Sequence, residues 1–436
     1  MAQTGDDIGR PAAGALYGSA AYRWYVVAIL MLAYSCHAMD RSLPGILVEP
    51  VREEFGLTDA QLGLLTGPSY GFAFAAAILP MGLLSDRVNR RNFLAVAVVA
   101  WSLCTALGGL ARSYGQLLIA RIGVGVAESG AAPVAVPMLS DIFPPERRAF
   151  VLGVFYMSSN AGTFLAGALG GYVAAEFGWR AAFLVVGLPG VLIALLMFAT
   201  VREPTRGGSD AAAADARPAP LIEVLKFLAG KPALILLIAG AAMTALVSIT
   251  MGAWAGSFFI RIHGLSVSQI GVLLGVGGGL VGMISPPVSG WVADRLSARD
   301  PGWTLRIVWI SLLGSFVAGM AMLFSPHVLA AVAGFIAADL LRSGYSPLAY
   351  AEIMTHTPAR MRGSVMSIVQ LASVLVGFGL GPVVIGALSD LYGGGAAIRY
   401  ALANALLLLP VVAVLFATGA RLLYRAGGAS GVAERP

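Results

Sequence analysis

The sequence predicts an all-α membrane protein: twelve transmembrane helices arranged as two pseudo-symmetric six-helix bundles. Three observations carry this expectation. Of 436 residues, 58% are hydrophobic and only 11% charged, whereas soluble domains carry about 25% charged residues. Apolar windows of about twenty residues, the length needed to cross a bilayer, recur twelve times. Motifs of the first half also return at equivalent places in the second.

The windows fall at 22–48, 60–84, 92–111, 115–138, 148–174, 180–200, 232–258, 267–292, 304–324, 328–350, 363–388 and 398–423. This gives an N-terminal tail (1–21), a first bundle (22–200), a linker (201–231), a second bundle (232–423) and a C-terminal tail (424–436). The linker, "VREPTRGGSDAAAADARPAPLIEVLKF" at its start, is rich in Ala, Pro and Gly and carries charges, as a polar connection does. The first residues lack a basic segment followed by a short apolar core, so no cleaved signal peptide is expected. Cys36 and Cys104 both fall within spans and are expected to pack as small apolar groups.

The formal charge of +6 does not point to nucleic acid, because of where the charges lie. Most basic residues, among them Arg87, Arg90, Arg91, Arg147, Arg148, Arg202, Lys226, Arg295, Arg360 and Arg421, fall in segments on the side of the linker and the termini. Arg52, Arg112, Arg180, Arg261 and Arg399 lie on the other. The bias orients both termini to the cytoplasm, and a bacterial inner membrane is the expected location. A single chain is expected to suffice, with no nucleic-acid partner.

The halves echo each other. "GLLSDRVNRR" (82–91) follows the second window and "GWVADRLSAR" (290–299) the eighth. "PPERRAFVLG" (144–153) precedes the fifth and "TPARMRGSVMS" (357–367) the eleventh. "GTFLAGALGG" (162–171) lies in the fifth and "GFGLGPVVIG" (377–386) in the eleventh. A duplicated six-span unit is the pattern of many secondary transporters. On these residues, with "FGWRAAF" (177–183), the chain resembles the major facilitator superfamily. "GLLSDRVNRR" is similar to its signature loop between spans 2 and 3, with Asn89 where glycine is usual. The loop's chemistry suggests a conformational latch. Gly82 permits close helix approach. Asp86 can accept N–H groups from the N-terminus of a neighbouring helix, where the superfamily places span 11. Arg87, Arg90 and Arg91 can hold carboxylates such as Asp141 or Glu146. Asp294 and Arg295 are the corresponding residues of the second copy.

Charges within spans are costly and mark function. Span 1 carries His37, Asp40 and Arg41, span 4 Arg121 and Glu128, and span 10 Asp339 and Arg342. In the superfamily arrangement spans 1, 4, 7 and 10 line a central cavity. Span 7 offers only hydroxyls, Thr244, Ser248 and Thr250. Asp40 and Arg41 are adjacent and point about 100° apart, so each needs a partner elsewhere. Arg121 and Glu128 share one face of span 4, roughly 10.5 Å apart. The simplest neutral arrangement pairs Asp40 with Arg121 and Arg41 with Glu128, with His37 in reach. Such a network can be structural. Its alternative role is proton coupling through Asp40 and Glu128, tuned by Arg41 and Arg121, since burial and a nearby arginine pull a carboxyl in opposite senses. Asp339 and Arg342 can pair within one helix or face the cavity.

Residues 39–75 and 121–149 are similar to the spinster-type lipid transporters. That resemblance implies proton-linked movement of lysophospholipid or sphingosine-phosphate-like lipids. It makes Asp40, Arg41, Arg121 and Glu128 the coupling and substrate-contact residues. Further expected contacts are His37, Asn160, Thr244, Asp339 and Arg342, with apolar wall from aromatics such as Tyr34, Tyr156 and Trp254. A small organic-anion symporter or a drug efflux pump of the same superfamily is the alternative. No enzyme, cofactor or metal site is expected. "GPSYG" (67–71) mimics a hydrolase elbow, and "GGGLVG" (277–282) a dinucleotide loop, but both lie inside apolar helices. His37, His263, His327 and His356 show no metal spacing, and the absence of a Walker A motif leaves an ion gradient as the energy source.

Overall fold

The computed structural model describes residues 17–204 and 219–430. The side chains at 86, 132, 133, 145, 149 and 425–430, and the whole of 1–16, 205–218 and 431–436, lie outside the described residues. Two groups of six helical segments are built as the sequence predicts. The first comprises α1 (Ala20–Phe55), α2 (Asp59–Thr66 continued by Pro68–Arg87), α3 (Arg90–Gly109), α4 (Tyr114–Glu128 continued by Ala131–Ile142), α5 (Pro145–Leu165, a π turn at Ala166–Gly170, then Gly171–Phe177) and α6 (Trp179–Thr200). The second comprises α7 (Pro232–His263), α8 (Val267–Leu274, a π turn at Gly275–Val281, then Gly282–Ser297), α9 (Trp303–Phe324), α10 (Val328–Ser343 then Tyr345–Thr355), α11 (Arg362–Leu391) and α12 (Ile398–Leu406 then Leu408–Ser430). A short helix, Leu221–Ala229, lies within the linker.

Among the described residues, eleven helices are long and apolar enough to cross a membrane. The fourth segment, α4, is broken at Ser129–Gly130. Its counterpart α10 breaks at Gly344. The cause is a repeated pentapeptide, "SGAAP" (129–133) and "SGYSP" (343–347). Pro133 and Pro347 have no N–H to offer the carbonyls of Ser129 and Ser343, and glycine loosens the turn between. Each break directly follows the charged residues of its helix, Glu128 in α4 and Asp339 with Arg342 in α10.

The bundles meet through α2 against α11 and α5 against α8, with α1 against α7. Glycine makes the second seam possible. A methyl on Gly167 would lie 2.2 Å from the Gly271 carbonyl oxygen, and one on Gly271 2.3 Å from the Gly167 carbonyl oxygen. Two backbones in that proximity gain dispersion contacts without needing a hydrophobic drive. The start of α2 and the end of α7 lie at the end of the molecule away from the linker, here called the distal end. Both carry the polar contacts that close it, described below.

Candidate functional site

Between the bundles lies a cavity of about 340 Å³. One wall comes from α1 (His37, Arg41, Ser42), α2 (Thr66) and α5 (Ser159, Thr163). The facing wall comes from α7 (Ser248, Met251), α8 (Leu274, Gly278), α10 (Phe335, Asp339, Arg342) and α11 (Phe378). Helix α4, expected at the wall, stands behind it. Arg121 and Glu128 are buried (3% and 1% exposed) and do not line the cavity in this conformation. Thr244 and Trp254 do not line it either. Thr244 donates to the Gly240 carbonyl at 2.7 Å, and Trp254 Nε1 donates to the Pro382 carbonyl at 2.9 Å; both are fully packed between helices. Asn160 sits at the α5–α8 seam, where its Oδ1 would meet a methyl on Gly282 at 2.7 Å. Tyr34 stands edge-on to His37 and to Tyr156, and both tyrosines pack at a tilt against Phe155, off the cavity lining. His37, Arg41, Asp339 and Arg342 do line it.

The charges of α1 and α4 are brought together, but their pairing differs from the expected one. Glu128 Oε2 accepts a 2.8 Å hydrogen bond from the Tyr70 hydroxyl and lies 2.9 Å from His37 Nε2, an ion-pair distance without hydrogen-bond alignment. Arg121 Nη1 donates to the main-chain carbonyl of Asp40, at 3.2 Å, rather than to its carboxylate. Neither Asp40 carboxylate oxygen receives a hydrogen bond of normal geometry, and the Thr105 hydroxyl beside it is likewise unpartnered. Arg41 forms no ion pair among the described residues. Its guanidinium stands 5.6 Å from the Tyr70 ring centroid and 4.8 Å from that of Phe378, while Arg121 lies 5.3 Å from Tyr70. Two arginines thus rest on one tyrosine, within the range where the ring quadrupole attracts a cation. In α10, Arg342 pairs with Asp339, and Ser343 donates to the same carboxylate at 3.4 Å. The two alternatives weighed for this pair coexist, since both residues also line the cavity.

Tyr70 and Phe378 were not singled out in the sequence. Tyr70 is hidden in the dismissed "GPSYG". The available signal was a tyrosine with its hydroxyl in an apolar span, a group that finds a partner when buried, set beside glycine. A methyl on Gly71 would come 2.6 Å from Phe378 Cβ, so that glycine lets α11 approach the charged cluster. Phe378 carried no such signal.

A second polar cluster closes the distal end. Arg261 of α7 grips Asp59 at the start of α2 with two 2.7 Å bonds, and its Nε donates to Glu49 of α1 at 2.8 Å. Ser389 of α11 donates to Asp59 at 2.6 Å. Asp390 accepts from the backbone N–H groups of Asp59 and Ala60, at 2.9 and 2.8 Å. An acid of α11 therefore caps the positive end of α2, where backbone donors lack helical partners. The sequence placed Arg52 and Arg261 in loops only. "GALSD" (386–390) repeats the G-x-x-[AS]-D pattern of the signature loops and is the signal that was available.

The hydrogen bonds and ion pairs of the described latch side chains stay within one bundle. A methyl on Gly82 meets nothing within 4 Å, so no helix approaches it closely in this conformation. Arg90 pairs with Asp141 at 2.7 Å, within the first bundle. The backbone N–H groups of Arg90 and Arg91 donate to Glu203 at 2.9 and 2.8 Å, tying the linker to α3. The Arg91 guanidinium donates to the Phe198 carbonyl and lies over its ring. Arg87, Glu146 and Asp294 are exposed, and Arg295 stacks on Trp291 at 3.8 Å. The side chain of Asp86 lies outside the described residues. Asn89, in place of the usual glycine, caps α3 by accepting from the Asn92 N–H at 2.8 Å.

Two six-helix groups around a cavity between them, closed at one end and carrying buried charge at mid-depth, define a multi-pass membrane transporter rather than an enzyme. Residues 30–309 match the Major Facilitator Superfamily, and the chain belongs to that family. Its fold is similar to a bacterial homologue of the human lysosomal transporter spinster, in an inward-facing and unoccupied conformation. That match has a TM-score of 0.79 and 27% identity, covering 94% of this chain and 98% of the other. It is also 29% identical to an MFS-type efflux pump of Mycolicibacterium smegmatis, over 65% of this chain and 66% of that protein. A hexuronate transporter of Bacillus subtilis is 27% identical over 72% of each.

Proposed function

We propose that this chain is a proton-coupled transporter of amphiphilic lipids with an anionic headgroup, lysophospholipid or sphingosine-phosphate-like. In this reading it acts as a monomer in a bacterial inner membrane, with both termini in the cytoplasm and the cavity open to that side. The observation that carries the reading is Arg41. It is a cation at the cavity wall, supported by aromatic rings and free of a carboxylate partner. An anionic headgroup supplies the missing partner through charge-assisted hydrogen bonds. Phe335, Met251 and Leu274 offer apolar wall for the start of a tail. The likeness to the spinster homologue supports the lipid class.

The proton site in this reading is Asp40 with Glu128. Asp40 is buried, Arg121 bonds its main-chain carbonyl rather than its carboxylate, and a buried carboxylate without an ion-pair partner is costly, which suits Asp40 to bind a proton. As the cavity changes sides, Asp40 and Glu128 exchange protons with the water they are opened to, and headgroup binding at Arg41 is linked to that switch. Glu128, tied to Tyr70 and His37, is the second carboxyl of the exchange.

A small organic-anion symporter remains the second reading, favoured by the hexuronate transporter's similarity and by a cavity that suits a compact acid. Uptake into proteoliposomes under a pH gradient, over a panel of lysolipids and sugar acids, separates the two. Repeating it with Asp40→Asn and Glu128→Gln tests the proton site. Wild-type rate and pH dependence in Glu128→Gln would remove Glu128 from the mechanism.

A further inference from the structure

At the linker end of the first bundle, a separate cavity of about 280 Å³ is lined by Ala20, Arg23, Trp24, Phe143, Pro144 and Arg147. It shares no lining residue with the central cavity. Neither Arg23 nor Arg147 forms an ion pair among the described residues, whereas Arg90, Arg306 and Arg360 each meet a carboxylate. Arg148, next in the chain, directs its Nε to the Phe143 carbonyl at 3.2 Å. The Arg23 Nε is shielded from solvent and meets no acceptor. One face of its guanidinium is backed by the Phe143 ring, at 5.9 Å. Two arginines without a carboxylate partner line one cavity, and their guanidinium N–H groups suit an anion.

Depth and surroundings identify the class of anion. Arg23 lies roughly 22 Å along the axis from the midpoint of the 36-residue α1, at 1.5 Å per residue. That is the headgroup layer of a bilayer about 40–45 Å thick in total. Trp24 packs edge-on against Phe143 at 5.6 Å and Phe150 at 6.2 Å. Trp24 and Phe150 are both exposed, an aromatic surface of the kind that sits at membrane interfaces. We propose that this pocket holds the phosphate of an anionic phospholipid. Arg23 and Arg147 clasp the phosphate oxygens, and the Trp24–Phe150 surface runs along the first carbons of the acyl chains. The site is independent of the transported substrate and of the proton site.

The test is thermal unfolding of the full chain in detergent, titrated with dioleoylphosphatidylglycerol, with dioleoylphosphatidylcholine, or with inorganic phosphate. Phosphatidylglycerol is expected to raise the midpoint by several degrees and phosphatidylcholine to leave it in place. The half-saturating phosphatidylglycerol concentration should rise roughly fivefold in Arg23→Gln and in Arg147→Gln, and about 30-fold in the double variant, following the attraction of about one charge each. Arg112→Gln, at the other end of the molecule, should titrate as wild type, and the Arg23→Lys/Arg147→Lys variant should keep most of the response. If the double variant does not fold, the two single variants carry the comparison. Unchanged half-saturation in the single variants overturns the proposal. So does a response to inorganic phosphate that phosphatidylglycerol does not exceed, which would make this a free-ion site.

Discussion

Arg41 of α1 and Phe378 of α11 stack across the bundle boundary, guanidinium to ring centroid at 4.8 Å. Phe378 also lies 5.0 Å from the Tyr70 ring, so one side chain of the second bundle covers the charged cluster of the first. The bundles cannot separate at this seam without uncovering Arg41 and Tyr70. Replacing Phe378 by Ala removes a cation–π contact worth about 0.5–2 kcal/mol and opens the cluster to cavity water. The expected outcome is a substrate-independent proton leak in proteoliposomes, read with a pH-sensitive dye, that Phe378→Tyr does not produce. A leak equal to wild type would show that Phe378 only packs.

Asp40→Asn keeps the shape of the buried acid and removes its proton. No hydrogen bond of normal geometry reaches the Asp40 carboxylate, and the Thr105 hydroxyl is the group beside it, so the amide costs about 1–3 kcal/mol at most. The variant is expected to fold and to exchange labelled substrate across the membrane at equilibrium, while losing accumulation driven by a pH gradient. Gradient-driven accumulation at the wild-type level would take Asp40 out of the coupling.

Tyr70→Phe deletes one hydroxyl, the donor to Glu128. One hydrogen bond contributes about 0.5–1.5 kcal/mol net, so the thermal midpoint is expected to fall by a few degrees at most. The ring remains, and with it the support of Arg41 and Arg121. Tyr70→Leu, which removes both, should be worse for substrate affinity than Tyr70→Phe. Equal losses in the two would mean that the stacked arginines do not depend on the ring.

Arg261→Gln breaks the distal closure at its centre. Asp59 is fully buried and Glu49 nearly so (5% exposed), and removing Arg261 leaves them only Arg52, at 3.6 Å from each, so the cost stays below the ~3–5 kcal/mol of a buried charge with no partner. The population is expected to move toward a distal-open state. Spin labels placed on the outer ends of α2 and α11 should report a longer distance. Asp390→Asn, which keeps one oxygen to cap α2, should produce the same change with smaller amplitude. An unchanged distance distribution in Arg261→Gln would mean that the α5–α8 glycine seam alone holds this end.

Much of the architecture is legible in the sequence because its causes are local or periodic. Apolar windows set the spans, and duplicated motifs set the two halves. The charges of α1 and α4 are too costly in a membrane to be ornamental, which singled out His37, Asp40, Arg41, Arg121 and Glu128. What the chain also carried, and only the helical breaks made plain, is the S-G-x-x-P repeat that ends the charged half of both α4 and α10. Asn89 is similar: a departure from the usual glycine becomes a helix cap once its neighbour Asn92 is in place.

By itself, then, the sequence determined that this is a two-bundle membrane transporter with an ionised centre, since hydropathy and charge cost depend on composition along one chain. The tertiary structure decided who touches whom. Spacing along α1 and α4 allowed Asp40 with Arg121 and Arg41 with Glu128. The fold instead seats Tyr70 and Phe378 between them, giving Glu128 to Tyr70 and His37 and leaving Arg41 free at the cavity wall. Such partners come from α2 and α11, far away in the chain, and no local pattern encodes a distance between helices that meet only when both bundles have packed. The same holds for Arg261, Asp59 and Asp390, which read as loop charges until the distal end closes around them.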